Sequence, residues 1–241
     1  MSGRDPGAPP HLHSRAVSWR HGLAWYEEAM RLFKLAPLRW IGLAFLAIAT
    51  ELVLKAAPDG LDLIAEILAP LVASGMVYAA AVADRRERPS LRLAWAAFGA
   101  GGNAIAAVIA ASAVTTAAQA FAGWWIADVN LLAADSSALE LSPGTLLGIY
   151  AVAVVLSLPV TFVPFLALLE QASFPAAFAA SAAAFARNAA PLAAYAAGTF
   201  ALLGFGLLTS GIGFVVALPL ATAASYAAWK DVFGVGGKPT V

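Results

Sequence analysis

Glu51, Lys55 and Glu66 are charged side chains set in apolar sequence. A second group, Arg187, Asn188, Lys230 and Asp231, stands where late apolar stretches meet polar ones. A charge at the centre of a lipid-facing helix costs about 2.5–3.5 kcal/mol, so each of these groups needs a partner, a proton or a task. Lys55 lies one helical turn beyond Glu51 on the same face, and Glu66 is expected at a similar height on the returning helix. Two chemistries fit: a small acidic site for a proton or cation, or a Glu51–Lys55 pair whose long side chains reach outward to water. Arg187 is placed to hold an anionic lipid phosphate, and Asn188 to cap the helix that starts beyond it. The simpler alternative is an Arg187–Asp231 contact tying the last two helices together, with Lys230 near in depth.

Other chemistry finds few residues to carry it. The G-x-S-G and H-E-x-x-H patterns are absent, and no glycine-rich phosphate loop follows a strand. "GAGG", Gly99 to Gly102, reads as a helix breaker. His11 and His13 lack further ligands, so no metal or other cofactor is expected. The 241 residues contain no cysteine, which removes thiolate chemistry and disulfides. With a net charge of zero and no basic face, a nucleic-acid partner has no electrostatic basis. The expectation is a protein that is not an enzyme.

The elements that must position these side chains follow from composition. The chain is 61% hydrophobic and 12% charged, against about 25% charged in soluble domains. A bilayer core of about 30 Å takes roughly 20 apolar residues per crossing. That ruler predicts spans at 38–57, 63–83, 103–125, 145–168, 190–208 and 212–229. The fold class is therefore all-α: a polytopic membrane helix bundle of six transmembrane helices in three hairpins. Residues 1–20 read as a disordered tail, 21–233 as one membrane domain and 234–241 as a short second tail.

Thirteen of the fourteen lysines and arginines precede or open the first span, or fall between the second and third, between the fourth and fifth, or after the sixth; only Lys55 is left for the other side. Both termini are thus expected in the cytoplasm, with the acidic "IADVNLLAADSSALELSPG" loop outside. Trp40, Trp95, Trp124, Trp125, Tyr226 and Trp229 stand near span ends, where aromatic belts form.

"HGLAWYEEAMRLFKLA" reads as an amphipathic helix on the cytoplasmic surface, with Glu27 spaced to pair with Arg31, and Glu28 with Arg31 or Lys34. In "FKLAPLRW", Pro37 makes the corner into the first span, Lys34 and Arg39 hold it inside, and Trp40 sets its depth. Pro191 repeats the device before the fifth span, and "RPSLRLAWAAFGAGGN" supplies an interfacial helix before the third. Each hairpin is therefore preceded by a cytoplasmic interfacial helix, and the chain reads as three degenerate units.

Three stretches carry a resemblance. Leu32, Phe33, Lys34, Pro37 and Trp40; Ser181, Arg187 and Asn188; and Tyr226, Lys230, Asp231 and Phe233 are similar to the signature positions of a proteobacterial family of uncharacterised six-helix inner-membrane proteins. The resemblance implies a multi-pass protein of the bacterial inner membrane and no particular activity; residues 91–145 match none of its motifs. The function expected is non-enzymatic: organising the membrane or binding a partner, with a small transporter or transporter subunit as the alternative and an intramembrane enzyme third. The partners expected are the lipid bilayer and anionic lipid on the cytoplasmic side, with a protein partner or a second copy left open.

Overall fold

Ten α-helices and short 3-10 segments make up the computed structural model, which describes residues 12–56, 62–131 and 141–235; no strand occurs among them. The helices are α1 (His21–Lys34), α2 (Pro37–Lys55), α3 (Asp62–Ala73), α4 (Gly75–Asp84), α5 (Gly102–Ala127), α6 (Pro143–Ser157), α7 (Val163–Leu168), α8 (Phe174–Arg187), α9 (Ala189–Leu208) and α10 (Phe214–Phe233). Sequence expectations for His11, the turn at 57–61, the middle of the acidic loop and the last residues lie outside the described residues.

Local chemistry sets many of the ends. Pro37 is the first residue of α2, where its missing N–H costs nothing. Ser142 caps α6, its hydroxyl accepting the Thr145 N–H at 3.1 Å, with Pro143 at the first helical position. Gly234, at φ +65°, closes α10 in the left-handed conformation that glycine takes most readily.

Five stretches are long and apolar enough to cross a membrane: Pro37–Lys55, Ile64–Asp84, Gly102–Ala127, Pro143–Leu168 and Ala189–Leu208, with mean hydropathy from 1.6 to 2.4. The second and fourth are interrupted. Pro70 and Ser74 divide α3 from α4, and a 3-10 turn at Leu158–Val160 separates α6 from α7, between Pro159 and Pro164. The sixth expected span corresponds to α10, which is less apolar and is not among the five. Its position explains its composition. Every residue from Ala223 to Trp229 is buried, because α1, α2, α4 and α9 surround it. A helix walled by protein need not match the hydropathy of one that faces lipid.

α1 packs along α10 and α9 through Gly22, Trp25, Ala29 and Leu32, an i, i+3, i+7, i+10 stripe. Its other side leaves Leu23 and Met30 exposed. Two glycines permit the approach: a Cβ at Gly22 would collide with the Pro191 carbonyl, and one at Gly198 with the Tyr26 ring.

Several expectations are corrected here. The tail expected over 1–20 does not extend to residues 12–20: Ser14 is buried, and Leu12 and Val17 pack on the core. The segment before the third span is a 3-10 helix, Leu91–Gly99, and it climbs beside α2 and α4: Leu91 covers Gly42, and Gly75 faces the Leu93–Ala94 backbone. Trp40, Tyr226 and Trp229 are 0%, 5% and 3% exposed, so they belong to the core and not to a belt, whereas Trp95, Trp124 and Trp125 are exposed. Trp40 turns inward because the corner at Pro37 folds α1 back over it, and its indole N–H donates to the Leu32 carbonyl at 3.1 Å.

Candidate functional site

The strongest concentration of polar contacts lies where α4, α8 and α10 end and α9 begins, beside the N-terminal segment. Asp231, in the last turn of α10, is 12% exposed at its side chain. Arg15 donates to its Oδ1 at 2.6 Å and to its main-chain carbonyl at 2.7 Å. On Oδ2, His21 Nδ1 lies at 2.6 Å and Trp25 Nε1 donates at 3.0 Å. Burial pushes the Asp231 carboxyl up, but the donors from Trp25, His21 and Arg15 together outweigh it and hold its pKa below the ordinary aspartate value.

Asp84, closing α4, is the second anchor. Lys230 donates to its Oδ2 at 2.6 Å and the Tyr226 hydroxyl at 3.2 Å, while Arg31 stands 3.5 Å from Oδ1 and is itself bound by Glu28. α1, α4 and α10 are joined by this carboxylate.

The third anchor is Asn188, completely buried between α8 and α9. Its Oδ1 accepts the Val17 N–H at 2.9 Å, and its Nδ2 donates to the Arg15 and Ala184 carbonyls, both at 3.0 Å. Arg187 donates to the Ser14 carbonyl at 2.8 Å, and the Arg15 N–H reaches the Val232 carbonyl at 2.8 Å. Residues 14–17 are thereby bound to α8, α9 and α10 by hydrogen bonds to their own backbone.

The expected Arg187–Asp231 contact does not form. Arg187 is spent on Ser14, and Asp231 on Arg15, His21 and Trp25; the inserted N-terminal segment supplies nearer partners to both. Lys230 turns to Asp84. Asn188 stands at the position preceding α9 but its side chain does not cap that helix, since the Val17 N–H claims its oxygen. Pro191 is buried in the first turn of α9, three residues past the break at Asn188.

At the corner, Arg39 donates to the Pro89 carbonyl at 3.1 Å, and Pro37 and Lys34 are exposed. At the other end of the bundle, Lys55 donates to Glu51 Oε1 at 2.8 Å and lies 3.6 Å from Glu66, whose Oε2 accepts from Thr116 at 3.3 Å. Glu51, Lys55 and Glu66 thus meet and join α2, α3 and α5, with side chains 51%, 43% and 43% exposed.

Arg15, His21, Trp25, Asp84 and Ser181 are the participants that sequence reasoning left without a role. A signal existed for two of them, because His21 and Trp25 are four apart and so share a helix face. Ser181 is fully buried: it donates to the Pro159 carbonyl at 2.7 Å and accepts the Phe162 N–H at 3.2 Å. It therefore restores backbone bonds at the break in the fourth span. Among the described residues, no three His, Asp or Glu side chains are grouped to hold a metal. Comparison of the chain with family profiles, curated proteins and solved structures returns no match.

Proposed function

We propose that this chain is a non-enzymatic protein of a bacterial inner membrane, crossing it six times with both termini in the cytoplasm, and that it serves as a rigid element for organising the membrane or docking a partner. The observation that carries the reading is where the polar groups spend their bonds. Arg187, Asn188 and Arg15 bind the chain's own backbone, and Asp84 and Asp231 are each engaged by three side chains of the same chain. Groups used this way hold a structure together. A catalytic acid, base or nucleophile needs an arrangement aimed at a reacting atom.

In this reading α1, the 3-10 helix at 91–99 and α8 each feed one hairpin, and the arginine-rich Arg85–Arg92 stretch marks the cytoplasmic side. The enclosed α10 is the sixth crossing. The resemblance to the six-helix inner-membrane family belongs with this proposal.

One observation favours a transporter as the second reading: the breaks at Pro70–Ser74 and Pro159–Pro164, since interrupted spans mark binding sites in many carriers. Reconstitution in liposomes holding a pH-sensitive dye separates the two. The first reading expects no proton or cation flux above that of empty vesicles. Flux that disappears in Glu51→Gln or Glu66→Gln would replace it with the second.

A further inference from the structure

Between α4 and the 3-10 helix, residues 85–92 carry Arg85, Arg86, Arg88 and Arg92 against the single carboxylate of Glu87. The neighbouring Asp84 is committed to Lys230, Tyr226 and Arg31. The Arg85 side chain donates to the Ala81 carbonyl at 3.2 Å, while Arg86, Arg88 and Arg92 are exposed, their guanidiniums with no counter-ion or hydrogen bond among the described residues.

An apolar groove of about 290 Å³ is bounded by Val53 and Leu54 of α2, Leu68 and Val72 of α3, and Trp95 and Phe98 of the 3-10 helix. Its one polar wall residue, Thr50, has its hydroxyl turned to the Leu46 carbonyl at 2.8 Å. The groove presents a surface of hydrocarbon and aromatic ring. It is too small for a helix, which is about 10 Å across.

Depth relates the two features. Arg39 bonds to Pro89 at the foot of α2, and the groove lies roughly 20 Å above it at 1.5 Å per residue. From Arg92 to Phe98 the 3-10 helix climbs about 12 Å. The α2 wall of the groove thus lies past the depth of one leaflet, about 15 Å, toward the Glu51–Lys55 end, while Trp95 and Phe98 carry the groove back toward Arg92. Unpaired guanidiniums at one end of the 3-10 helix and a dry slot walled by its Trp95 and Phe98 are complementary to a single amphiphile with an anionic head.

We propose that this face binds an anionic phospholipid, its phosphate held by Arg88 and Arg92 and one acyl chain laid in the groove between α2, α3 and the 3-10 helix. The proposal rests on the membrane-embedded reading alone and holds whether or not the chain transports anything. The full chain is purified in a neutral detergent and offered equal amounts of dioleoyl-phosphatidylglycerol and dioleoyl-phosphatidylcholine, with retention of each read by native mass spectrometry.

Wild type is expected to retain the glycerol lipid about thirtyfold more strongly, the roughly 2 kcal/mol that two arginines near the surface supply. The double variant Arg88→Gln/Arg92→Gln is expected to lose that preference. Val53→Trp, a change at a lipid-exposed position that fills the slot, is expected to reduce retention with every charge in place. Millimolar glycerol 3-phosphate is expected not to displace the lipid. Equal retention of the two lipids, or an unaffected double variant, would overturn the proposal. Unchanged retention by Val53→Trp, or displacement by glycerol 3-phosphate, would reduce the site to a headgroup contact and overturn it as well. Failure of these arms in a protein that still needs detergent for extraction would leave the membrane reading in place.

Discussion

Asn188 Oδ1 accepts the backbone N–H of Val17 at 2.9 Å, joining positions 171 residues apart. The carboxamide is completely buried and its Nδ2 also bonds the Arg15 and Ala184 carbonyls. A buried carboxamide with all of these bonds made is a specific connector, since any one left unmade would carry a desolvation cost. Through it the segment before α1 becomes part of the bundle.

Replacing Asn188 by alanine strands the Val17 N–H and the Arg15 carbonyl. The expected loss is about 3 kcal/mol, summed from buried groups at roughly 1–3 kcal/mol each. Residues 12–20 are expected to become cleavable by added protease while α5 and α6 stay resistant. Unchanged resistance of that segment would show that Asn188 does not hold it.

The depressed pKa of Asp231 gives this end of the bundle a defined pH response. A carboxyl whose folded pKa lies below its unfolded value contributes stability in full above the unfolded value, and that contribution is lost as pH falls through the folded one. Protection of residues 12–20 is therefore expected to hold through neutral pH and to weaken below the ordinary aspartate range. Asp231→Asn should lower protection at neutral pH and remove that acid-side loss. Hydrogen exchange of residues 12–25 against pH measures both, and an Asp231→Asn profile that follows wild type would contradict the assignment.

Ser181→Ala removes the donor to Pro159 and the acceptor for the Phe162 N–H, in a fully buried position. About 2 kcal/mol of destabilisation is expected in detergent unfolding. Ser181→Thr keeps the hydroxyl but adds a methyl group at a fully buried site, so it should fall between alanine and wild type. An alanine variant as stable as wild type would mean that the broken span satisfies itself.

The Glu51–Lys55–Glu66 cluster is open to its surroundings, and a pair this exposed contributes about 0–1 kcal/mol. Lys55→Gln is expected to shift thermal unfolding in detergent by no more than about 4 °C. A much larger loss would give the cluster a structural weight that its exposure does not suggest.

Readings that depended on neighbours in sequence agree well with the structure. The corner at Pro37, the Glu28–Arg31 pair and the Glu51–Lys55 pair rest on proline geometry or on spacings of three and four residues. Five apolar stretches likewise follow from length and composition. What stayed hidden is long-range. Asp231 takes its partners from positions 206 to 216 residues away: Arg15 in a stretch that reads locally as a tail, and His21 and Trp25 on a helix that reads locally as lying on the membrane surface. Trp40 and Trp229 read as belt residues because an indole near a span end looks alike whether it meets headgroups or a neighbouring helix; only the folding of α1 over α10 decides it. The 3-10 climb at 91–99 was hidden for a similar reason, since its apolar pattern fits a surface helix equally well.

The central claim is that these helices cross a bilayer with the Asp84–Asp231 end inside and the Glu51–Glu66 end outside. The chain has no cysteine, so single cysteines can be introduced without removing any. Glu87→Cys, Ser136→Cys and Ile212→Cys are expressed separately in bacteria and exposed to a membrane-impermeant maleimide before and after permeabilisation of the inner membrane. The account predicts that Ser136→Cys and Ile212→Cys label in intact cells and that Glu87→Cys labels only after permeabilisation. Labelling of Glu87→Cys in intact cells, or protection of Ile212→Cys until permeabilisation, would contradict it.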